Sequence, residues 1–409
     1  MRNTSHERYL KSLTILLIVL LITAAGFNWF VDPYRIYYSP RIEKLNSVKT
    51  ELGGHGRMAK AYAIKKMKPK AIILGTSRAF KGIDPEHDGW SYTPVYNLAI
   101  DAATIYETAR YFQHAHHAQP LSQVVLFLDF RFFDIYRLHT DFDEQRLLVN
   151  YDGQENEGLY INDYLSTMFS LDALFSSVKT VFDNFANRTA TMLVVYKENG
   201  FVGTENYMLR QGHHAAFNGN DRTYINNLLQ NKLQFSNPET GQSSFDYYRK
   251  ILQIAYQDNI DLRIAISPNH ARLNEVYAAV GLWPQFEEWE RTLVKINEEE
   301  AQLTSSSPFP LWNFSVYNKY TTEDLPSLDD KETAMKWYWE SSHFKKEFGY
   351  IVLDRIFDNH ESEEDTTGVL LTSENIDEIL QDIRTAQQNY RESHPDDIAE
   401  LENFVKMVK

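Results

Sequence analysis

Short, uninterrupted apolar runs recur along the chain and predict the strands of a sheet. They cover residues 71–74, 95–100, 124–129 and 262–267, with a weaker fifth run at 311–314. Because these runs are apolar throughout, they are typical of parallel strands covered on both faces. Helical patterns fill the intervals, as at residues 103–114 and 245–258. The alternation predicts an α/β, doubly wound domain whose ligands bind at the carboxyl ends of its strands.

A longer apolar segment precedes the first strand and predicts a membrane span. Residues 12–31 carry no charged side chain, and a helix of this length crosses a hydrocarbon layer of roughly 30 Å. Arg2, Arg8 and Lys11 precede the segment, and Asp32 follows it. Because positive flanks stay in the cytoplasm, the rest of the chain should face outward. We therefore expect a single-pass protein of the inner (cytoplasmic) membrane, held by lipid around this helix, with its domain facing the periplasm or the outside.

A cleaved signal peptide is the alternative interpretation of this segment. Ala24 and Ala25 lie near a possible cleavage point, but the apolar run is longer than a usual signal core. The aromatic residues that follow are typical of a belt at a membrane interface: Trp29, Phe30, Tyr34, Tyr37 and Tyr38. Length and belt together favour a retained anchor.

The composition of the chain changes several times and predicts its domain organisation. The segments are a cytoplasmic stub (1–11), the anchor (12–31), a membrane-proximal linker (32–67), an α/β domain (68–360) and a helical tail (361–409). Residues 141–244 interrupt the α/β rhythm and are interpreted as a helical insertion over the functional face. Their amphipathic part covers residues 160–182, and a polar, Gly- and Asn-rich part covers 200–221.

The charge of the chain excludes one class of function and belongs mostly to the tail. With 41 basic and 56 acidic residues the net charge is −15, so no surplus of cations exists to neutralise nucleic-acid phosphates. Residues 361–409 hold 13 acidic and 4 basic side chains, or −9 of that total. The charge therefore says little about the substrate of the main domain.

The absence of cysteine removes several kinds of site. Disulfide frameworks, thiolate zinc sites, iron–sulfur clusters and cysteine nucleophiles all require a residue that this chain lacks. The histidines at 114, 116, 117, 213 and 214 have no carboxylate at convincing ligand spacing, so a solvated helix end is the better interpretation of the first group. No metal and no cofactor is predicted.

Ser77 is the first candidate for chemistry. It follows the first predicted strand in Leu74-Gly-Thr-Ser-Arg-Ala79, where its hydroxyl can reach the carboxyl end of the sheet. The N-terminus of the next helix would stabilise negative charge that develops there. The alternative is a serine that only caps this helix.

Glu340 and His343 supply the partners that a serine nucleophile needs. A nucleophilic serine requires a base within hydrogen-bond distance, and the base requires a carboxylate that orients it. The two residues are three apart in Glu340-Ser-Ser-His343, so one turn or loop can bring them together. A structural histidine in an aromatic segment is the alternative.

Four short motifs resemble the ordered blocks of SGNH/GDSL-type hydrolases. They are Gly75-Thr-Ser-Arg78, Tyr96-Asn-Leu-Ala99, Leu128-Asp-Phe130 and Glu340-Ser-Ser-His343. The likeness is closer to the membrane-anchored bacterial branch, which includes proteins that assist alginate O-acetylation and teichoic-acid D-alanylation. The resemblance implies a three-layer α/β/α fold with a flavodoxin-like sheet, a Ser77 nucleophile and a His343 base. It also implies cooperation with a multi-pass membrane O-acyltransferase and a cell-envelope glycan as substrate.

The chain departs from the family pattern at four points. Thr76 stands where the family usually has aspartate, and Ala102 replaces a glycine whose amide helps to form the oxyanion hole. No Gly-x-Asn-Asp block is present, and Asp129 at that strand end is interpreted as structural because a carboxylate repels an oxyanion. Glu340 replaces the usual aspartate. Asn97, in the second block, is assigned with Ala102 to the oxyanion or substrate site.

Three further residues are candidates for substrate binding. Asn269 and His270 follow the fourth predicted strand in Ser267-Pro-Asn-His-Ala-Arg272, where Asn269 could replace the missing asparagine and His270 could bind substrate. The alternative is a proline turn that closes the strand. Arg78 could bind an anionic substrate or pair with Asp84 or Glu86.

These observations lead to two functional hypotheses. The first is an extracytoplasmic serine esterase or O-acyltransferase of the SGNH type, which acts on a cell-envelope polysaccharide or related acceptor through an acyl group on Ser77. The alternative is an anchored, catalytically weak binding or assembly subunit of a polysaccharide-modification complex. A solute receptor would leave Glu340 and His343 unexplained.

Overall fold

The computed structural model describes residues 3–137, 141–156, 160–191, 195–203, 211–358 and 367–408. Within these ranges the chain divides into two compact units. The N-terminal unit takes its described residues from 1–66, 140–197 and 203–207, and the sheet unit takes its residues from 67–139, 198–202 and 208–409. Residues 141–244, which we expected to form one insertion, are therefore shared between the two units.

The secondary structure is numbered in chain order. The strands are β1 Ala71–Leu74, β2 Val95–Asn97, β3 Gln123–Leu128, β4 Val195–Tyr196, β5 Val202–Gly203, β6 Asp261–Ile266, β7 Leu311–Asn313, β8 Tyr338–Glu340, β9 His343–Phe344 and β10 Val369–Leu370. The helices are α1 Asn3–Val31, α2 Gly56–Met67, α3 Ser77–Gly82, α4 Ile105–Ala118, α5 Tyr160–Met168, α6 Leu171–Phe185, α7 His213–Gln230, α8 Phe245–Gln257, α9 Ala271–Ala279, α10 Trp283–Leu303, α11 Lys346–Asp358, α12 Ile376–Ser393 and α13 Pro395–Val408.

A six-stranded sheet forms the centre of the sheet unit, in the order β10-β7-β6-β3-β1-β2. Strands β1, β2, β3, β6 and β7 run parallel. Ala71 of β1 lies opposite Val95 of β2 and Gln123 of β3, and Ile264 of β6 lies opposite Leu311 of β7. All five predicted apolar runs are strands of this sheet, so the α/β class is confirmed. Strand β10 pairs antiparallel with β7, and the segment predicted as a separate tail therefore extends the sheet.

Burial explains why these runs are apolar on both faces. All six residues of β3 are buried between β1 and β6, and α4, α8 and α10 cover neighbouring surface. Beyond the end of β3, Phe130 packs edge-on against Trp289, with ring centroids 5.8 Å apart. An antiparallel hairpin of β8 and β9 lies outside the main sheet.

The N-terminal unit contains the predicted span. Residues His6–Val31 of α1 form a helix that is long and apolar enough to cross a membrane, by length and composition. Trp29 is exposed as a membrane-interface residue should be, but Tyr34 is buried in a small core with Met58 and Tyr62. The expected aromatic belt is therefore only partly at the surface, because Tyr34 packs inside the unit.

The two last helices pack on the sheet unit rather than extending from it. Residues 376–390 were predicted to be an amphipathic helix, and α12 buries Ile376, Leu380 and Ile383. Helix α13 packs against α7 and α9. The acidic C-terminal segment is thus part of the folded body in the residues that the structure describes.

Candidate active site

A tight turn between β1 and α3 presents Ser77. Gly75 has φ +148°, and a Cβ atom there would lie 3.0 Å from the Cβ atoms of Ala79 and Phe127. Only glycine therefore fits this turn without displacing its neighbours. Thr76 is the N-cap residue, and its Oγ1 accepts a hydrogen bond from the Arg78 amide at 3.4 Å. The interpretation of Ser77 as the cap is wrong, because Thr76 holds that position.

A buried ion pair fixes the other side of this turn. Arg78 and Asp129 pair with only 5% of either side chain exposed, and Thr76 Oγ1 donates to the same carboxylate. Burial opposes the charge of Arg78, but the attraction of Asp129 outweighs it and raises the pKa of the guanidinium. Arg78 therefore does not pair with Asp84 or Glu86. Asp129 joins the ends of β1 and β3, as its structural interpretation requires.

The β8–β9 hairpin carries the candidate base and its orienting carboxylate. Glu340 and His343 face each other across the hairpin, and Glu340 Oε1 hydrogen-bonds to His343 Nδ1. The Ser342 amide donates to Glu340 Oε2 at 2.8 Å. The other ring nitrogen, His343 Nε2, lies 2.8 Å from Ser77 Oγ. The structure thus joins the three residues predicted to be catalytic in one line of hydrogen bonds.

Close packing between the hairpin and α3 makes this contact possible. A Cβ atom on Gly82 would lie 2.1 Å from Cε2 of Phe344. Since Phe344 follows His343 directly, the absence of a side chain at Gly82 lets the hairpin approach α3. The two glycines of this segment, Gly75 and Gly82, therefore support the two sides of the site.

Local charges set the protonation of this line. Burial alone would raise the pKa of Glu340, but His343 and the Ser342 amide outweigh it and lower the pKa to about 2. Burial, together with the charge of Lys81, lowers the pKa of His343 against the opposing attraction of Glu340. At neutral pH an ionised Glu340 therefore orients a neutral His343, which is the state in which an imidazole accepts a proton.

A polar cavity of about 770 Å³ opens in front of Ser77 and His343. Ala102 lines it with φ +54°, and Ser77 is the first residue of α3, where a helix leaves its amide without an internal acceptor. Within the described ranges, neither the Ser77 nor the Ala102 amide donates a hydrogen bond. Both N–H groups are available to a bound oxygen.

Three cations at the cavity wall were not found from the sequence. Arg131 and Arg137 follow β3, and Lys232 follows α7. None of the three forms an ion pair in the part of the chain that the structure describes. Arg131 lies over the ring of Tyr224 at 4.9 Å. The sequence signal for Arg131 and Arg137 was their position after the end of β3. Only the fold shows that Lys232, after α7, lies at the same cavity wall.

Asn97 lies away from the cavity and has a structural role. Its Nδ2 donates to the carbonyls of Ala79 at 2.9 Å and Ile83 at 2.8 Å, and its Oδ1 accepts from the Ala99 amide at 3.0 Å. The side chain is fully buried. Asn97 ties β2 to α3 and leaves no atom for substrate, so its assignment to the binding site is corrected.

Asn269 and His270 are also corrected. His270 is the buried N-cap of α9, and its Nε2 bonds to the Glu323 carbonyl at 2.8 Å. Burial lowers its pKa to about 3. Asn269 Nδ2 donates to Asn274 Oδ1 at 2.9 Å. Neither residue lines the cavity, because the strand ends in a turn that caps the next helix, which was the alternative.

The histidine groups take part in hydrogen bonds to carboxylates and carbonyls. His116 contacts Asp258 at 2.9 Å, and His214 contacts Glu400 at 3.1 Å. Among the residues with described positions, no group of three or more histidine or acidic side chains could hold a metal ion.

No protein-family model matches the chain, and no curated protein matches it either. The resemblance to SGNH-type hydrolases therefore rests on the short motifs and on the local geometry of Ser77, His343 and Glu340.

Proposed function

We propose that the protein is an SGNH-type serine esterase or O-acyltransferase. The observation that carries the proposal is the line from Glu340 through His343 to Ser77, with 2.8 Å between His343 Nε2 and Ser77 Oγ. A hydrogen bond of this length lets a neutral imidazole remove the serine proton during nucleophilic attack. The free amides beside Ser77 and the open cavity support the same chemistry.

The proposed reaction proceeds through an acyl-enzyme. His343 Nε2 takes the Ser77 proton while Oγ bonds to the ester carbonyl carbon, and the carbonyl oxygen becomes an oxyanion. The amides of Ser77 and Ala102 donate to that oxygen. The tetrahedral intermediate then expels the leaving alcohol, which takes the proton from His343. Water or a sugar hydroxyl attacks the acyl group and passes its proton to His343. The bond between Ser77 Oγ and the acyl carbon then breaks, and His343 returns the proton to Oγ, so hydrolysis and transfer differ only in this acceptor.

The strand order supports a flavodoxin-like sheet. The five parallel strands follow the order β2-β1-β3-β6-β7, which corresponds to the 2-1-3-4-5 order of flavodoxin-like sheets. We therefore propose that the sheet unit has a three-layer α/β/α arrangement. Ser77, Ala102 and Asp129 all follow carboxyl ends of neighbouring strands, where such sheets bind ligands.

The proposed setting is the outer face of the inner membrane. Basic residues before α1 support an orientation in which the sheet unit faces the periplasm or the outside. An anchored acyltransferase would receive its acyl group from a multi-pass membrane O-acyltransferase and pass it to a cell-envelope glycan. Arg131, Arg137 and Lys232 at the cavity favour an acceptor with negative charges.

A fluorophosphonate probe tests the proposal because it labels activated serines covalently. The full chain in detergent should be labelled, and Ser77→Ala and His343→Ala should both lose labelling. Ser306→Ala, which changes an exposed serine after α10, is the matched control and should label like the unchanged protein. Undiminished labelling of Ser77→Ala would overturn the assignment of the nucleophile.

The alternative function is an anchored subunit that binds a polysaccharide without efficient catalysis. It is favoured by one observation: Arg131, Arg137 and Lys232, which form no ion pair with any residue of described position, make the cavity suitable for an anionic polymer, whatever the reactivity of Ser77. The double variant Ser77→Ala, His343→Ala distinguishes the two functions in cells. Full polysaccharide modification by that variant supports the binding subunit, and loss of modification supports the enzyme.

A further inference from the structure

Helix α6 buries its polar side and exposes its apolar side, which is the reverse of a helix on the surface of a water-soluble protein. Its buried side consists mainly of small and polar residues: Ala173, Ser176, Ser177, Thr180, Asp183 and Asn184. Its exposed side carries large apolar residues at helical spacing: Leu171, Phe175, Val178, Phe182 and Phe185, each between 51% and 78% exposed. A helix in water turns its apolar stripe toward the core, so the outer side of α6 is suited to an apolar environment.

The apolar surface continues onto the preceding helix. Ile161, Leu165 and Phe169 are also exposed, at a spacing of four residues along α5 and its end. We call these eight side chains, from Ile161 to Phe185, the apolar face. Contiguous apolar patches larger than a few hundred Å² mark interaction surfaces for proteins or membranes. Single exposed apolar residues, in contrast, are normal on soluble proteins.

Hydrogen bonds hold the start of α6 at the end of α1. Asn28 Nδ2 donates to the carbonyls of Met168 at 3.0 Å and Ser170 at 3.1 Å, and its Oδ1 accepts from Ser177 Oγ at 3.0 Å. Asn28 is fully buried. Just beyond α1, Tyr34 OH donates to Asp172 at 2.6 Å. These contacts give the polar side of α6 its partners and leave its apolar side outward.

The position of Asn28 sets the depth of the apolar face. A span that begins near Ser12 reaches the far boundary of a hydrocarbon layer of roughly 30 Å after about twenty residues, close to Val31. Asn28 lies one helical turn before that point. The start of α6, which Asn28 holds, is therefore at the level where hydrocarbon gives way to lipid headgroups.

We propose that the apolar face lies in the surface of the same bilayer that α1 spans. Lys179 and Arg188 lie next to the face and are more than half exposed, and each also pairs with a carboxylate of the same unit, Lys179 with Glu51 and Arg188 with Asp183. The Arg188 guanidinium lies 4.6 Å from the centre of the Phe182 ring. Cations beside a large apolar stripe are typical of helices that lie along a membrane interface, because the charges reach the phosphates while the rings enter the acyl region.

Lipid is the occupant that the observations favour. The apolar face is continuous with the membrane-spanning helix through Asn28, so the bilayer is already present at its level. This inference requires α1 to span the membrane but does not depend on the chemistry of Ser77. The helices of a partner membrane protein and a second copy of this chain are the other possible occupants, and the experiment separates them from lipid.

The absence of cysteine allows a direct test. Phe175→Cys and Phe182→Cys place single thiols on the apolar face, and both sites are exposed, so the substitutions remove little packing. Leu303→Cys is the matched control, since Leu303 is an isolated apolar residue at the end of α10 with 77% exposure. Each full chain is labelled with a nitrobenzoxadiazole dye and reconstituted, without other proteins, in vesicles of phosphatidylethanolamine and phosphatidylglycerol.

We expect the labels at positions 175 and 182 to emit at shorter wavelength than the label at 303. Nitroxide groups on the lipid acyl chains should quench them, and iodide in the water should not. The label at 303 should show the reverse. Iodide quenching at 175 and 182 equal to that at 303 would overturn the proposal and leave a partner protein as occupant. Protection from both quenchers would also overturn it, in favour of contact between two copies of the chain.

Discussion

Arg272 Nε donates a hydrogen bond of 2.6 Å to Asp221 Oδ2, and neither side chain has any exposed surface. The same guanidinium contacts Asp397 at 2.9 Å and Glu400 at 2.7 Å on α13. Three carboxylates from two helices thus converge on one buried cation. Burial raises the pKa of Asp221 to about 6 although Arg272 opposes the shift, so Asp221 is charged at neutral pH.

The cluster around Arg272 also contacts the hairpin that carries the candidate base, His343. The second oxygen of Asp221 accepts a hydrogen bond of 2.6 Å from Ser341 Oγ, and the His270 amide donates to the Ser341 carbonyl at 3.1 Å. Ser341 lies in the turn between Glu340 and His343. The polar core beneath α13 therefore supports the hairpin that carries both residues.

Replacing Arg272 should destabilise the sheet unit strongly. Arg272→Met leaves Asp221 buried without its cation, and breaking a buried pair in this way costs about 3–5 kcal/mol. Lys406→Met, which breaks an exposed pair with Glu402, should cost at most about 1 kcal/mol. Denaturant unfolding of the two variants in detergent provides the comparison, and equal midpoints would contradict the importance of the buried cluster.

The cost of Arg272→Met should also depend on pH. An unpaired Asp221 has a folded-state pKa raised further above its unfolded value, so its protonated form favours folding. The stability that the variant loses relative to the unchanged protein should therefore be smallest in acid and grow as pH rises through about 6 and above. Unfolding measured at several pH values checks this direction, and a deficit that is independent of pH would show that Asp221 is not the group responsible.

Glu340→Gln should change both the rate and the pH profile of fluorophosphonate labelling. The variant loses the charge that stabilises the imidazolium, so the plateau rate should fall by a factor on the order of 10⁴. Glu340 raises the pKa of His343 against burial. Without it that pKa falls further, and the acid limb of the profile moves to lower pH.

Glu347→Gln is the control for this substitution, because Glu347 is an exposed carboxylate four residues after His343. It should leave the rate and the profile unchanged. If Glu340→Gln lowers the labelling rate but leaves the acid limb of the pH profile at the same pH, Glu340 does not act on the imidazole of His343.

Asp129→Asn should weaken the fold around Ser77. The asparagine keeps the shape of the side chain but leaves Arg78 buried without a counter-charge, at a cost of about 3–5 kcal/mol. Asp134→Asn, in the same cavity wall, is the control and should cost little because Asp134 has no ion pair in the described residues. A stable Asp129→Asn protein that nevertheless fails to label would instead assign Asp129 to the reaction.

Removing cavity cations should weaken the binding of anionic polymers. An ion pair at 4 Å in water contributes about 1 kcal/mol, or roughly fivefold in affinity. Arg131→Gln combined with Lys232→Gln should therefore reduce the affinity for a soluble polyuronate by a factor of roughly 25 and flatten its dependence on salt. Probe labelling of Ser77 should persist in the same variant.

Lys295→Gln, at an exposed site on α10, is the matched control for polymer binding and should have no effect. Equal affinity of the double variant and this control would exclude the cavity as the binding surface. Calorimetry with charged and neutral polysaccharides measures the affinity and its dependence on salt.

Local patterns were sufficient for the features that neighbouring residues determine. The apolar run of β1, the glycine after it and the three-residue spacing of Glu340 and His343 are all readable in sequence. Strand β10 was not predicted, because a two-residue strand has no periodicity and forms only by pairing with β7. Arg272 was missed for a similar reason, since its partner Asp221 lies 51 positions away in the chain.

The incorrect assignments share one physical cause. Asn97 ends β2, and Asn269 and His270 follow β6, but the sequence does not show whether each side chain turns toward the cavity or toward buried polar groups. All three turn inward and satisfy buried donors or acceptors. Helix α6 illustrates the same limit, because its amphipathic pattern was evident while the direction of its apolar side required the surrounding unit.

The assignment of the α3 cap to Thr76 has a practical consequence. Since Thr76 and Asp129 hold the turn, the hydroxyl oxygen of Ser77 forms no hydrogen bond within the turn itself, and its partner is His343 across the cavity. A chain without that oxygen retains the same walls and the same charges. Under the proposed function it would hold an unreacted ester in place rather than consume it, and Ser77→Ala would then serve as a bait for isolating the ligand from envelope extracts.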